Sequence, residues 1–424
     1  MADIRPFRGT RFQPKAGRPD ALVAPPYDVL SNEERDAYAA KSPYNVVHLT
    51  LPEQRPDDRS KYVKYARSAA ALADWKREGV LGVDPASYYR LRQTFRIPGT
   101  EQDLVRTALI GMLKVEPYEK GVVLPHEQTF PKHKEDRLRI LEATRSHLEC
   151  IYGLFEDDQR DVFDLIDAAP AETVVDVTTD DGVRHVLEAI TSEPTCREIH
   201  EALADKKVWI ADGHHRYETA VTFREQLGPR DELVPEDFMM MAFSSMNDPG
   251  LVLLPTHRIV SHLPLSLDEV AEKLSPYFEV KRVPNDVLWT RLAGTAQDGR
   301  RAIGIALPGG EGLLAEYGDP EALSKAIDAE GSTNLLSLDV SILHGLIFAQ
   351  LLDIQGTDRI SYTRDEEEAI REGSVEGQAA FLMNPPTVDD MRRVALGGEK
   401  MPQKSTYYYP KLLSGLLIWS LEDF

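Results

Sequence analysis

Cysteine is almost absent from this chain, with Cys150 and Cys196 the only two in 424 residues. Two thiols build no disulfide framework, and their spacing offers no zinc site. Both read as ordinary buried thiols. Long apolar runs are missing too: no stretch approaches the ~18 residues of a membrane-spanning helix. The N-terminal MADIRPFRGTRF has no apolar core of a signal peptide. Positive charge is scarce, with 49 Lys and Arg against 70 Asp and Glu, a formal net charge of −21. Such a surface repels nucleic acid and anionic membranes, while leaving room for a locally basic pocket. No internal repeat or low-complexity segment stands out. The expectation is a cytoplasmic protein with neither a DNA nor a membrane partner.

What is present is the composition of a globular protein, 42% hydrophobic and 28% charged, long enough for two or three domains with their own cores. The most informative stretch is VWIADGHHRYETAVTF, Val208 to Phe223. Val208 to Ala211 is a short apolar run, as in a buried strand. Tyr217, Ala220, Val221 and Phe223 recur at helical spacing, and Gly228-Pro229 closes the helix. Asp212, Gly213, His214, His215 and Arg216 are crowded into the turn between them. An α/β sheet places its ligand at such a strand-to-helix turn. The first turn of a helix offers N–H groups and a positive dipole end to phosphate. Gly213 allows close approach of an anion, and Arg216 can clamp phosphate oxygens. Capping by Asp212 would account for one of these residues but not for the other four.

Before this turn, ALVAPPYDVL (Ala21 to Leu30) leads into a rigid Pro-Pro turn carrying Tyr27 and Asp28. Ser31 and Glu34 match a capping box. Asn45 to Leu51 alternates like a strand, and a helix is predicted from about Ser60 to Glu78. Strands are predicted at Tyr88–Ile97 and Val105–Val115. The polar segment LPHEQTFPKHKEDRL, Leu124 to Leu138, holds His126, Glu127, Lys132, His133, Lys134 and Arg137. It reads either as a solvated loop or as a second wall of the pocket. A helix (Arg137 to His147), a strand (Glu149 to Phe155), a hairpin around Asp181-Gly182 and a helix (Pro194–Leu203) follow.

Beyond the central helix, Phe238–Met246 and Leu251–Val260 are apolar runs split by Asn247-Asp248-Pro249-Gly250. The second run carries His257 and Arg258, which either face the pocket or lie on an edge. Leu263 to about Glu330 alternates helical and strand-like segments without a reactive constellation. An amphipathic helix is predicted over Leu338–Leu352, then a strand, an acidic helix and a strand near Ala379–Met383. The tail GGEKMPQKSTYYYPKLLSG gathers Lys400, Lys404, Ser405, Thr406 and Lys411. It is no P-loop, since Gln403 stands where that motif has Gly, yet it suits a loop closing over phosphate.

The segments ADGHHRYETA, APPYDVLS, NVVHLTLP, LPHEQTFPKHKEDRL, MNDPGLVLLPTHRIV and MPQKSTYYYPK, in their order along the chain, identify it as a member of the domain-of-unknown-function family 1015. The central turn also resembles the ParB and sulfiredoxin-like nucleotide-binding superfamily. Gly213 and Arg216 fall on the first Gly and last Arg of the ParB turn G-E-R-R. Gly213, His215, Arg216 and Tyr217 match the sulfiredoxin turn G-C-H-R-Y, but His214 replaces its reactive Cys, which excludes sulfinic-acid repair of that type. Asp212 through Arg216 reproduce the D-G-H-H-R turn of ParB-like free serine kinases.

The resemblance implies a mixed α/β fold: a ParB/sulfiredoxin-like nucleotide-binding core with extra β-hairpins and a small α/β subdomain. The expected divisions are 1–262 for the nucleotide-binding region, 263–330 for the subdomain and 331–424 for a C-terminal region packing back on the core. The implied activity is phosphoryl transfer from ATP or ADP, with magnesium, to a small hydroxylated metabolite such as L-serine. Gly213, His214, His215 and Arg216 are then assigned to phosphate, with Lys404 and Ser405 closing over it. Asp212 is assigned to the acceptor hydroxyl or the metal, and Asp28 or Glu127 to the base. Tyr27, His126, His257 and Arg258 are candidate pocket residues. Two alternatives stand beside this: a non-catalytic nucleotide-binding switch, and a metal-dependent hydrolase built on His126, His214, His215 and His257. No pair of these histidines has the H-x-x-x-H ligand spacing.

Overall fold

The computed structural model describes residues 2–127, 131–356, 358–402 and 404–424, with the side chains of 131–133 left aside. It is a mixed α/β protein of two compact units. The first comprises Met1–Pro125, Thr129–Val252 and Pro410–Phe424, and the second His126–Gln128 and Leu253–Tyr409. The boundaries therefore differ from the predicted 262 and 330. The reason is strand pairing: His257–Ser261 hydrogen-bonds to both Ile360–Thr363 and Gln378–Met383, and Gln378–Met383 to Arg301–Ala306. Segments 263–330 and 331–409 thus share one sheet, and only the last fifteen residues, Pro410–Phe424, belong to the first unit.

The first unit is built on a sheet whose main path runs Val123–Leu124, Val208–Asp212, Ile151–Phe155, Phe238–Ser245, Asp103–Lys114, Leu81–Arg96, Arg184–Ile190 and Glu172–Thr178. Most pairs are antiparallel; Val208–Asp212 beside Val123–Leu124 and Phe238–Ser245 beside Ile151–Phe155 are the parallel ones. Val208 to Ala211 are all buried, as a strand covered on both faces requires. They pack in one core with Ile151, Tyr217, Ala220, Met239 and Phe243. The second unit has a six-stranded, wholly antiparallel sheet, in the order Glu279–Pro284, Glu311–Tyr317, Arg301–Ala306, Gln378–Met383, His257–Ser261 and Ile360–Thr363. Leu288 and Leu292 of helix Asn285–Gln297 and Ala369 of helix Glu366–Gly373 seal its core.

Several local predictions hold. Ser31 and Glu34 form the capping box of helix Asn32–Lys41, and the hairpin around Asp181-Gly182 joins Glu172–Thr178 to Arg184–Ile190. Others are corrected. Val47–Thr50 is a helical turn, not a strand. Buried Asn45 overrides the alternating pattern by accepting from Val47 N–H at 3.0 Å and donating to Ala21 O and Val23 O. The helix predicted from Arg137 spans Pro131–Thr144, so Lys134 and Arg137 lie on a helix and not in a loop; the side chains of Lys132 and His133 fall outside the described residues, as does Gln403. The run Leu251–Val260 breaks at Pro255. The predicted amphipathic helix at Leu338–Leu352 is instead the turn Asp339–Ser341 followed by a wide π-helix, Ile342–Leu351. Leu352 N–H there donates to Ile347 O, five residues back, at 2.9 Å.

Candidate functional site

The central strand ends in an irregularity. Its register against Ile151–Phe155 shifts between Ile210 and Asp212, a bulge of the kind that re-aims a side chain beside a site. Gly213 follows with φ +93°, a left-handed conformation that a side chain would strain, and caps helix His214–Gln226. The cap is therefore Gly213 and not Asp212. A Cβ on Gly213 would stand 3.0 Å from Arg216 Nη2, because the guanidinium folds back over the glycine. Glycine serves twice here, for the turn and for the space above it.

Around this turn the first unit gathers charges from distant segments. Asp212 lies between Lys411, at 3.2 Å, and Arg216, at 3.7 Å. Arg216 Nη1 donates to Cys150 O at 2.7 Å, while its buried Nε has no partner among the described residues. Tyr27 lies beside it, with the Arg216 guanidinium 6.0 Å and the Arg137 guanidinium 4.0 Å from its ring. Glu149 accepts from Tyr27 N–H at 3.2 Å and from the Ser414 hydroxyl at 2.7 Å. Its other oxygen is 3.7 Å from Arg137. Asp28 is exposed. His214 is buried and His215 half-buried in the first helical turn. A cavity of about 50 Å³, bordered by Arg137, Glu149, Arg216 and Thr219, has room for a water or two but not for a nucleoside.

Burial opposes the charge of Arg216, but the carboxylates of Glu149, Asp212 and Asp28 outweigh it and hold the guanidinium above its ordinary pKa. Burial, with the charge of Asp28, raises the Tyr27 phenol as well. Burial pushes the Cys150 thiol up to about 12, so it is an inert neighbour.

The remaining candidates belong to the second unit. Met401 N–H donates to His126 O at 2.6 Å, and Glu127 bridges to Met401. His126 Nε2 and Thr406 Oγ1 are 2.8 Å apart, and Glu127 accepts from Lys404 N–H at 3.2 Å. The His126-Glu127 segment and the Lys404–Thr406 loop, ~280 residues apart in sequence, are thus joined. Ser405 donates to Pro402 O. His257 and Arg258 are buried on an interior strand rather than on an edge. Of the candidate residues, Tyr27, Asp28 and Asp212–Arg216 belong to the first unit, and His126, Glu127, His257, Arg258, Lys404 and Ser405 to the second. The four histidines of the hydrolase alternative are split in the same way. Among the described residues no group of three His, Cys, Asp or Glu could hold a metal ion, and no helix is long and apolar enough to cross a membrane.

Sequence reasoning missed Glu149 and Ser414. Glu149 opens a predicted strand and Ser414 lies in the lysine-rich tail, but nothing in either pattern marks a site residue, and only the tertiary fold brings them to Tyr27.

The fold and site together define a mixed α/β protein with a polar strand-to-helix turn ringed by arginine, lysine and carboxylates. The chain belongs to the family described as protein of unknown function (DUF1015), whose model matches residues 4–341. No curated protein matches the sequence. Among solved structures it is similar to a mutant free serine kinase in complex with ADP, at 14% identity and a TM-score of 0.39, covering 78% of this chain and 98% of that one. It is similar to a free serine kinase in complex with AMP, at 15% identity and 0.35, covering 72% and 91%. A conserved hypothetical protein from Pyrococcus furiosus is similar at 13% identity and 0.35, covering 72% and 94%.

Proposed function

We propose that the Asp212–Arg216 turn binds the phosphates of ATP or ADP and directs a phosphoryl group to a small hydroxylated metabolite, L-serine being the first to test. The observation that carries this reading is the turn itself. A bulged strand end, a left-handed Gly213 and the start of a helix come together with Arg216 folded over the glycine. Backbone N–H groups and a cation there suit phosphate oxygens. The D-G-H-H-R sequence, shared with ParB-like free serine kinases, points the same way.

Gly213, His214, His215 and Arg216 would hold phosphate, with Lys411 supplying a second cation beside Asp212. Asp28, exposed and near enough to influence Arg216, is the candidate base. The acceptor oxygen attacks the terminal phosphorus and its proton passes to Asp28. The bridging P–O bond breaks, and the nucleotide leaves with the electron pair. Positioning and charge neutralisation supply the catalysis. Magnesium, held by one or two carboxylates and the phosphates themselves, would neutralise developing charge, and Asp212 would be its carboxylate ligand. Glu127, Lys404 and Ser405 take no part in this proposal, because their hydrogen bonds run within the second unit.

The test is transfer of label from ATP and from ADP to a panel of hydroxylated metabolites, serine first. Transfer that depends on Asp212 supports the reading. Nucleotide binding without transfer to any acceptor would replace it with a regulatory switch.

A further inference from the structure

The second unit holds a larger cavity, about 350 Å³, within the range of small-molecule pockets, about 300–1,000 Å³. Its charged lining is Arg258, Arg300, Arg301, Asp339 and Asp390. Four of these five are balanced locally. Arg301 pairs with Asp339 at 2.8 Å, and Asp339 also accepts from the Tyr317 hydroxyl at 2.7 Å. Arg300 pairs with Glu316 and Asp298, and Asp390 with Arg393 at 2.7 Å.

Arg258 is the exception. It is 2% exposed, yet no carboxylate lies within ion-pairing distance of it among the described residues. Its donors go to neutral acceptors: His344 Nε2 at 3.3 Å, Thr256 O, Met383 Sδ at 3.5 Å and Lys404 O at 3.1 Å. The Tyr362 ring lies 5.5 Å from the guanidinium. Glu127 acts on it only at longer range, and burial brings its pKa down to about 10. A buried charge without a counter-ion is costly. One that borders a cavity of ligand size is relieved when an anion enters.

We propose that this cavity is a binding site for a small oxyanion, a carboxylate or phosphate group, that completes the charge of Arg258. Arg258 would supply the charge-assisted contact, and Thr256, Ser405 and Asn384, which line the same cavity, the polar groups that orient the rest of the ligand. The site is independent of the phosphotransfer reading, since all its residues belong to the second unit and none to the Asp212–Arg216 turn.

The test is thermal denaturation of the full chain titrated with succinate, glutarate, inorganic phosphate and phosphoserine against chloride at matched ionic strength. The expected result is saturable stabilisation by at least one of them, with the carboxylates and phosphates separating the two sources of the oxyanion. Arg258→Lys and, as a milder change, Ser405→Ala should each weaken that anion, Arg258→Lys by about tenfold or more. Arg216→Lys should leave the response to succinate and glutarate in place. If Arg258→Lys does not fold, Ser405→Ala and a crystal soaked in the best anion decide, with the anion expected against Arg258. No saturable response to any of the four, undiminished response in both variants, or an anion bound elsewhere would overturn the proposal.

Discussion

Arg216 and Arg258 are both arginines with most of their side chain out of solvent, one in each unit, and their surroundings are opposite. Arg216 has Asp212 at 3.7 Å and feels Glu149 and Asp28, which hold its charge more firmly than usual. Arg258 has hydrogen bonds but, among the described residues, no carboxylate within ion-pairing distance, and burial pushes its pKa down to about 10. Burial alone therefore says little about an arginine's task. The local charge balance separates a cation whose charge its own turn holds in place, with Nε still unpartnered among the described residues, from one with no carboxylate within ion-pairing distance among the described residues.

Deleting the cation that its own turn balances should have the largest effect. Arg216→Ala leaves Glu149, Asp212 and Asp28 without the guanidinium between them, and should cost about 3–5 kcal/mol of stability, the range for breaking a buried pair. Denaturant unfolding measures it, and a loss below 1 kcal/mol would show that Arg216 is not integral to the turn. For this reason Arg216→Lys, which keeps the charge, is the better probe of nucleotide binding.

Asp212→Asn comes next. It keeps the shape of the side chain while removing its charge. Turnover should fall on the order of 10²-fold or more, with nucleotide affinity little changed or raised. Wild-type turnover in the mutant would clear Asp212 of a role in the reaction.

A smaller effect is expected at Gly213. Gly213→Ala places a side chain at φ +93° and a Cβ 3.0 Å from Arg216 Nη2. The backbone cost is about 1–2 kcal/mol, and nucleotide affinity should fall because the guanidinium must move. A variant with unchanged stability and affinity would contradict the close packing of this turn.

The mildest test concerns the neighbours of Arg258. Burial, reinforced by the charge of Arg258, lowers His257 and His344 to about 4. Their folded values lie below the unfolded value of about 6.5. The stability they contribute is present in full above pH ~6.5 and is lost as the pH falls through about 4. An oxyanion beside Arg258 should move both titrations upward. Imidazole NMR with and without the best anion reads this directly, and unmoved titrations with the anion bound would place it away from Arg258.

Much of the central turn was legible in the sequence, because strand, glycine, polar cluster and helix follow one another within sixteen residues, Val208 to Phe223. The proximity of Tyr27 to Arg216 was reachable through motif resemblance, since ~190 residues separate them in sequence. Glu149 was not legible: its value lies in accepting from Tyr27 N–H and Ser414, and no local pattern marks such a residue. The division of the candidates between two units was hidden for a related reason. His126-Glu127 lies within sequence that mostly belongs to the first unit, but its hydrogen bonds run to Met401, Lys404 and Thr406 in the second. The misread strand at Asn45–Leu51 has a different cause. A single buried asparagine satisfied enough backbone groups to override an alternating pattern.

The most direct test of the central claim, that nucleotide phosphates belong to the Asp212–Arg216 turn and not to the Arg258 cavity, is calorimetric titration with ATP and ADP. It compares wild type, Arg216→Lys and Arg258→Lys, each checked for thermal stability. Arg216→Lys should weaken nucleotide binding by about 1.5–3 kcal/mol, the scale of a charge-assisted hydrogen bond, while Arg258→Lys should leave it unchanged. Unchanged affinity in a folded Arg216→Lys protein, or loss of affinity in Arg258→Lys alone, would contradict that claim.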